Sequence, residues 1–235
     1  MLEAIRISKE YKGQRALFDV SFTVEKSKIF CLVGANGAGK STAIKMFTGQ
    51  MTPSSGSANI DGYNVSTHLK NIKSKIAYIP ENLMLYGHLN ALENLDLFCS
   101  VSQLNYSTDE LGSFLQQVGL NEQHFSKKLE NYSKGMRQKV GIAYAIAKKA
   151  SFLFLDEPTS GLDPKSIMEF SSLIKQLSSA GITILMTSHD LNRSINDSDK
   201  IGIMKDGNLL EIITTKNCSY RELEKKYMDH MISKE

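Results

Sequence analysis

Gly34-Ala35-Asn36-Gly37-Ala38-Gly39-Lys40-Ser41-Thr42 decides how this chain is read. A glycine, four residues and then Gly-Lys-Ser/Thr is the phosphate-loop pattern. Its glycines let the backbone curl so that consecutive N–H groups face one anion. Lys40 is then placed to reach the β- and γ-phosphates and the Ser41 hydroxyl to ligate Mg²⁺. The candidate contacts are Gly34, Asn36, Gly37, Ala38, Gly39, Lys40, Ser41 and Thr42. The surroundings agree, because residues 28–33 read as a buried strand and residues 41–47 as a helix whose N-terminus points at the phosphates.

Upstream, Phe18, Val20, Phe22 and Val24 alternate with polar residues as a half-buried strand, and residues 57–61 with Gly62 read as a further strand and turn. An antiparallel lobe around the loop is the expectation. Tyr11, before a Lys-Gly-Gln turn, is placed in sequence to stack on a base, and equally fits a packing or surface role. Downstream, residues 76–79 read as a short buried strand that puts Glu81 at its tip. Asn90 with Glu93 and Ser107 with Glu110 form capping boxes. Leu111, Phe114, Leu115 and Val118 follow helical spacing up to Gly119. Ser133 is placed to cap a helix whose apolar face is Met136, Val140, Ala143 and Ala147.

The next strand, residues 152–155, ends in Asp156-Glu157. A buried strand needs no acid at its end for stability, and unpaired buried charge is costly, so the pair calls for a function. In a phosphate-loop enzyme the first acid holds Mg²⁺ and the second accepts a proton from the attacking water. Asp163-Pro164 opens a helix with the stripe Ile167, Phe170, Ile174 and Leu177. Residues 182–186 form another buried strand, with His189 beyond its tip. A lone histidine there fits a structural role or the ligand side of a doubly wound sheet. A strand pair (201–204 and 209–213) turns at Asp206-Gly207, and a final helix capped by Ser219 with Glu222 carries mixed charges from Arg221 to Lys234 and Glu235.

Composition narrows the class. With 28 basic and 25 acidic residues the chain offers no electrostatic footprint for nucleic acid, and none is expected as partner. Cys31, Cys99 and Cys218 are odd in number and far apart, the pattern of reduced packing thiols. No signal-peptide profile stands at the start and no apolar run approaches a bilayer's width, so a membrane role is expected to come through a partner.

The order and spacing of these motifs resemble the nucleotide-binding subunit of an ATP-binding-cassette (ABC) transporter over nearly the whole chain. In that resemblance Tyr11 looks like the base-stacking aromatic and Glu81 stands in the place of the usual loop glutamine. Residues 132–136 look like the signature motif, residues 160–163 like the dimer-contact loop, and His189 like the switch histidine. The signature departs from Leu-Ser-Gly-Gly-Gln as Tyr-Ser-Lys-Gly-Met, keeping Ser133 and Gly135.

The resemblance implies an α/β fold in a single domain, residues 1–235: a phosphate-loop NTPase core, an antiparallel β lobe, and an inserted helical lobe at about residues 84–147. It implies Mg²⁺-dependent ATP hydrolysis with Lys40, Glu157 and His189 catalytic and Ser41, Glu81 and Asp156 around the metal. Two subunits, identical or not, sandwich two ATP molecules, Ser133 and Gly135 of one completing the other's site. The cassette sits on the inner face of the cell membrane against a transmembrane permease, with an exporter of drugs, peptides or polysaccharide as the leading reading. The alternatives are an import ATPase and a soluble non-transport cassette. Leu83, Met84, Leu85 and Tyr86 are expected to line a groove for the permease or else to pack the lobes together.

Overall fold

The computed structural model describes residues 1–11 and 13–232. Lys12 of the turn after Tyr11, and Lys234 and Glu235 of the charged C-terminal stretch, lie outside them. In chain order the elements are β1 (Leu2–Tyr11), β2 (Gln14–Val24), β3 (Ile29–Val33), α1 (Lys40–Phe47), β4 (Ser55–Ile60), β5 (Tyr63–Asn64), α2 (Val65–Lys73) and β6 (Ile76–Ile79). There follow α3 (Ala91–Val101), α4 (Thr108–Gln117), α5 (Lys134–Ala147), β7 (Phe152–Leu155), α6 (Pro164–Ser179), β8 (Thr183–Ser188), α7 (Leu191–Asp197), β9 (Lys200–Lys205), β10 (Asn208–Thr214) and α8 (Tyr220–Ile232).

Two sheets result. Strands β2-β1-β4-β5 form an antiparallel sheet, and β10-β9-β3-β8-β7-β6 a second one that is parallel apart from β10. In β3, β6 and β7 the residues are apolar or aromatic throughout, and in β8 and β9 the middle ones are, because both faces are covered. Successive side chains alternate between two cores. Phe30 and Leu32 of β3, Phe152 and Phe154 of β7 and Leu185 of β8 join α1 and the antiparallel sheet. Ile29, Cys31 and Val33, Leu153 and Leu155, and Ile184 and Met186 join the core that also takes in α3, α4, α5 and α6. Ring stacking knits the first core, with Phe22 and Phe30 at 5.1 Å and Phe47 and Phe154 at 5.9 Å between centroids. Each such buried ring contributes on the order of 1.5–3 kcal/mol.

Helices α3, α4 and α5 fill the interval between β6 and β7. Both expected capping boxes form, Asn90 with Glu93 and Ser107 with Glu110, and Ser133 caps α5. Four elements had no counterpart in the sequence reading, β1, β5, α2 and α7. One side chain points the other way from expectation. Phe18 is exposed, and the inward set of β2 is Leu17, Val20, Phe22 and Val24. The cause is a bulge: the register passes from Lys9↔Leu17 to Ile7↔Val20, with Asp19 at φ 46, so the period of two slips at Phe18. Phe18 instead donates its N–H to Gly207 O at 2.9 Å, tying β2 to the β9–β10 turn.

Candidate functional site

The parallel register brings the C-terminal ends of β3, β8 and β7 side by side, and chemistry collects there as the ligand side of a doubly wound sheet requires. Residues 34–39 leave β3 and turn into α1. Gly34 has no room for a side chain, since a Cβ there would lie 2.4 Å from Met204 O. Gly39, at φ 98, stands at the N-cap of α1, where a Cβ would meet Ala16 O at 2.8 Å. Ala38 donates to Ala35 O at 3.2 Å and accepts from Gly207 N at 3.2 Å, so the loop is braced from behind by the turn after β9. Asn36 and Gly37 are exposed and Thr42 is half-buried on the first turn of α1.

Lys40 is buried, and its ammonium lies 2.7 Å from Gly34 O, 3.2 Å from Ala35 O and 3.2 Å from Glu157 Oε1. The last contact is an ion pair without hydrogen-bond alignment, and Glu157 Oε1 is left with no hydrogen-bond partner. Ser41 Oγ donates to Asp156 Oδ1 at 2.8 Å. The pairing of Leu155 with Met186 places Asp156 beside Thr187, whose hydroxyl donates to Asp156 Oδ1 (2.7 Å) and accepts from the Glu157 N–H (2.8 Å). His189 Nδ1 stands 2.8 Å from Glu157 Oε2. Glu157 itself is held at φ 45, a conformation that persists only where its surroundings impose it.

Four expected members stand apart. Glu81 is exposed beyond β6, and its Oε1 accepts from Ser160 Oγ at 3.5 Å instead of joining Ser41 and Asp156. Tyr11 ends β1 with its hydroxyl 2.6 Å from Met51 Sδ and Lys9 Nζ 5.3 Å from its ring centre. Ser133 and Gly135 lie at the start of α5, where Ser133 Oγ accepts from Met136 N at 3.2 Å and Gly135 packs on Ser166 of α6. The first turn of α5 carries no acid of its own to offset the positive end of the dipole.

Sequence reasoning missed Thr187, Tyr78 and Gln138. The strand alternation of β8 against β7 was the only signal for Thr187. Tyr78, on β6, has its phenol pushed up to about 12 by burial and by the neighbouring Asp156 carboxylate. Gln138 is buried on α5 and donates to Pro158 O. Among residues 83–86 the expectation divides: Leu83 and Leu85 pack on the core, whereas Met84 and Tyr86 face outward at 86% and 50% exposure. Asn94 clamps the Tyr86 backbone through both its N–H (2.9 Å) and its C=O (3.0 Å).

A cavity of about 260 Å³ lies at the other end of these strands, between Lys28, Ser198 and Thr215. Four of its charges are paired, Lys28 with Asp199 and Lys200 with Glu25, and it shares no residue with the loop.

A family model described as ABC transporter matches residues 17–160. The chain belongs to the ABC transporter family. It is an ABC ATPase, an ATP-binding enzyme of this family. The chain is 35% identical over 222 residues to the linearmycin resistance ATP-binding protein LnrL of Bacillus subtilis (strain 168), covering 93% of this chain and 71% of LnrL. It is 34% identical over 210 residues to the lantibiotic transport ATP-binding protein SrtF of Streptococcus pyogenes, covering 89% of each. Among solved structures it resembles the dimeric post-hydrolysis state of the ATP-binding cassette MJ0796 bound to ADP and Pi. There the TM-score is 0.82 and the identity 25%, over 93% of this chain and 100% of that one. No helix among the described residues is long and apolar enough to cross a membrane.

Proposed function

We propose that residues 1–235 form one nucleotide-binding domain that pairs with a second cassette and powers a separate membrane permease, an exporter of drugs, peptides or polysaccharide, at the inner face of the cell membrane. The observation that carries this reading is the contact chain Ser41–Asp156–Thr187–Glu157–His189 at the strand tips, with Ser133 exposed on a different helix. The loop N–H groups and Lys40 bind the β- and γ-phosphates. Tyr11 supplies a ring to the base.

The donor set fits a magnesium ion. Ser41 and Asp156 offer hard oxygen ligands, and Glu81, which here accepts from Ser160, would join through water only by leaving that contact. Among the described residues no group of three or more His, Cys, Asp or Glu forms a cage, the pattern of an ion that takes most of its oxygens from phosphate and water. Bound there, Mg²⁺ would neutralise charge developing on the phosphates. Glu157 accepts the proton of the attacking water. His189 holds the Glu157 carboxylate in place and contacts the γ-phosphate. The positive N-terminus of α5, with Ser133 and Gly135, stabilises the γ-phosphate bound by the partner cassette.

The exporter reading is supported by LnrL and SrtF, whose names denote resistance to linearmycin and transport of a lantibiotic. Met84 and Tyr86, which face outward, are the docking points for a cytoplasmic helix of the permease, while Leu83 and Leu85 anchor the segment to the core. The decisive experiment is Glu157→Gln, which keeps shape but removes the base. Turnover should fall about 10²–10⁴-fold while an ATP-bound dimer accumulates on gel filtration. Near-normal turnover would sink the assignment.

A further inference from the structure

Gln138 presents a puzzle that the site described so far does not use. It lies on α5 with 2% of its surface exposed, donates through Nε2 to Pro158 O, and leaves Oε1 buried without a hydrogen-bond partner among the described groups. A half-satisfied buried amide is a poor way to fill a core, where a methionine of similar volume carries no desolvation cost. Such a group calls for a reason other than stability.

The position of its one bond supplies that reason. Pro158 follows Glu157, and a residue before proline is pressed toward extended backbone, yet Glu157 sits at φ 45. Besides the backbone bond from Ser160 N–H to Glu157 O (3.2 Å), two side chains hold this disfavoured turn: Thr187 Oγ1 on the Glu157 N–H (2.8 Å), and Gln138 on the carbonyl of the next residue. Gln138 is also five residues from Ser133, about 7–8 Å along the same helix. The first turn of that helix rests on Ser166 and Leu162 at the start of α6. A small void of about 40 Å³ between α5 and α6, lined by Gly135, Gln138, Ser166 and Glu169, leaves room for the helix to settle.

We propose that Gln138 is a positioning residue for hydrolysis: it couples the seating of the α5 N-terminus on a nucleotide to the pose of the Glu157 carboxylate. The inference rests on the two-cassette reading above. When Ser133 and Gly135 close on the partner's γ-phosphate, α5 is fixed, and Gln138 fixes Pro158 O with it. Glu157 is thereby set in its own chain's site in response to an event in the other.

The test uses the purified full chain. Gln138→Met removes the donor and keeps the volume. We expect unchanged binding of a fluorescent ATP analogue, an unchanged or slightly raised Tm, a KM within about threefold of wild type, and a kcat lowered about ten- to a hundredfold. Gln138→Glu gives an independent readout. An ionised carboxylate cannot donate to Pro158 O, a protonated one can, and burial raises the pH at which it protonates. Its kcat relative to wild type should therefore climb as the pH falls from 8 to 6. A wild-type kcat in Gln138→Met, or a pH profile of Gln138→Glu parallel to wild type, overturns the proposal. If the methionine variant does not fold, the pH profile decides alone. Wild-type turnover and ATP-driven dimerisation of Glu157→Gln are measured alongside. If those fail, the two-cassette reading falls; if they hold and both Gln138 variants behave as wild type, only the coupling falls.

Discussion

The tips of β3, β7 and β8 and the start of α5, the two regions assigned to phosphate in the proposed function, are built in opposite ways. At the strand tips every group is tied to another of the same chain: Lys40 to the loop carbonyls, Ser41 and Thr187 to Asp156, His189 to Glu157. At the start of α5, the Ser133 side chain caps its own helix, and the first turn carries no acid. The first region is preorganised and closed on itself. The second offers the N–H groups of a helix end whose own first turn has no acid. The contrast is what the two-cassette proposal requires: one half of a site closed within its own chain, and a complementary half left to meet another chain's.

The sharpest way to break this contrast is Ser133→Arg. It should leave ATP binding intact and lower turnover by about 10²-fold or more, the scale of a lost transition-state donor. Lys40→Ala should instead weaken binding itself by about ten- to a hundredfold. Mixing the two chains should restore activity, because one composite site then has an intact loop and an intact α5. Normal hydrolysis by Ser133→Arg would reduce Ser133 to a helix cap and erase the distinction.

Next in size is Tyr86→Asp, which tests whether the outward residues after β6 form a third region that faces the permease. The variant should fold and hydrolyse ATP yet lose co-purification with the permease and the transport it drives. Retained assembly and transport would place the groove elsewhere. An unfolded protein would assign Tyr86 to lobe packing, through its contact with Phe98 at 6.4 Å.

A smaller effect probes the closed half. Thr187→Val strands the buried Glu157 N–H and removes a donor from Asp156, which costs about 1–3 kcal/mol. Tm should fall by several degrees and turnover by about tenfold, with both visible in the same preparation.

The smallest lies far from either half. Glu211 of β10 is held below the usual carboxylate range by its hydrogen bonds to Lys226 and His230 of α8. A depressed folded value means that this pairing stabilises above the ordinary carboxylate pKa and is lost as pH falls through the lowered one. Glu211→Gln should lower Tm by about 1–2 °C at pH 7. The difference should vanish in acid, with turnover unmoved throughout.

What the sequence made legible follows from distance along the chain. The glycine loop, the acids after β7 and the caps at Asn90, Ser107, Ser133 and Asp163 each declare themselves within a few residues, and the structure places each where its local pattern indicated. Phe18 misled because a bulge is set by the partner strand: nothing in residues 17–24 announces that Asp19 takes φ 46. β1 escaped for a related reason, since Arg6 at φ 47 breaks the alternation of Leu2, Ala4 and Ile7. Thr187 and Gln138 matter only through partners 31 and 20 residues away. Met84 and Tyr86 parted from Leu83 and Leu85 only once the packing of the core was known.

Gly207 carries a consequence of another kind. Its N–H reaches Ala38, its C=O receives Phe18, and a Cβ on it would strike Ala16 O at 2.7 Å. The back of the phosphate loop thus leans on a hairpin drawn from the last third of the chain. The motif is portable as text and not as an object: residues 34–42 transplanted onto a foreign strand would arrive without their buttress. Conversely, exchange of the 206–207 turn would retune the loop while leaving every letter of its signature untouched.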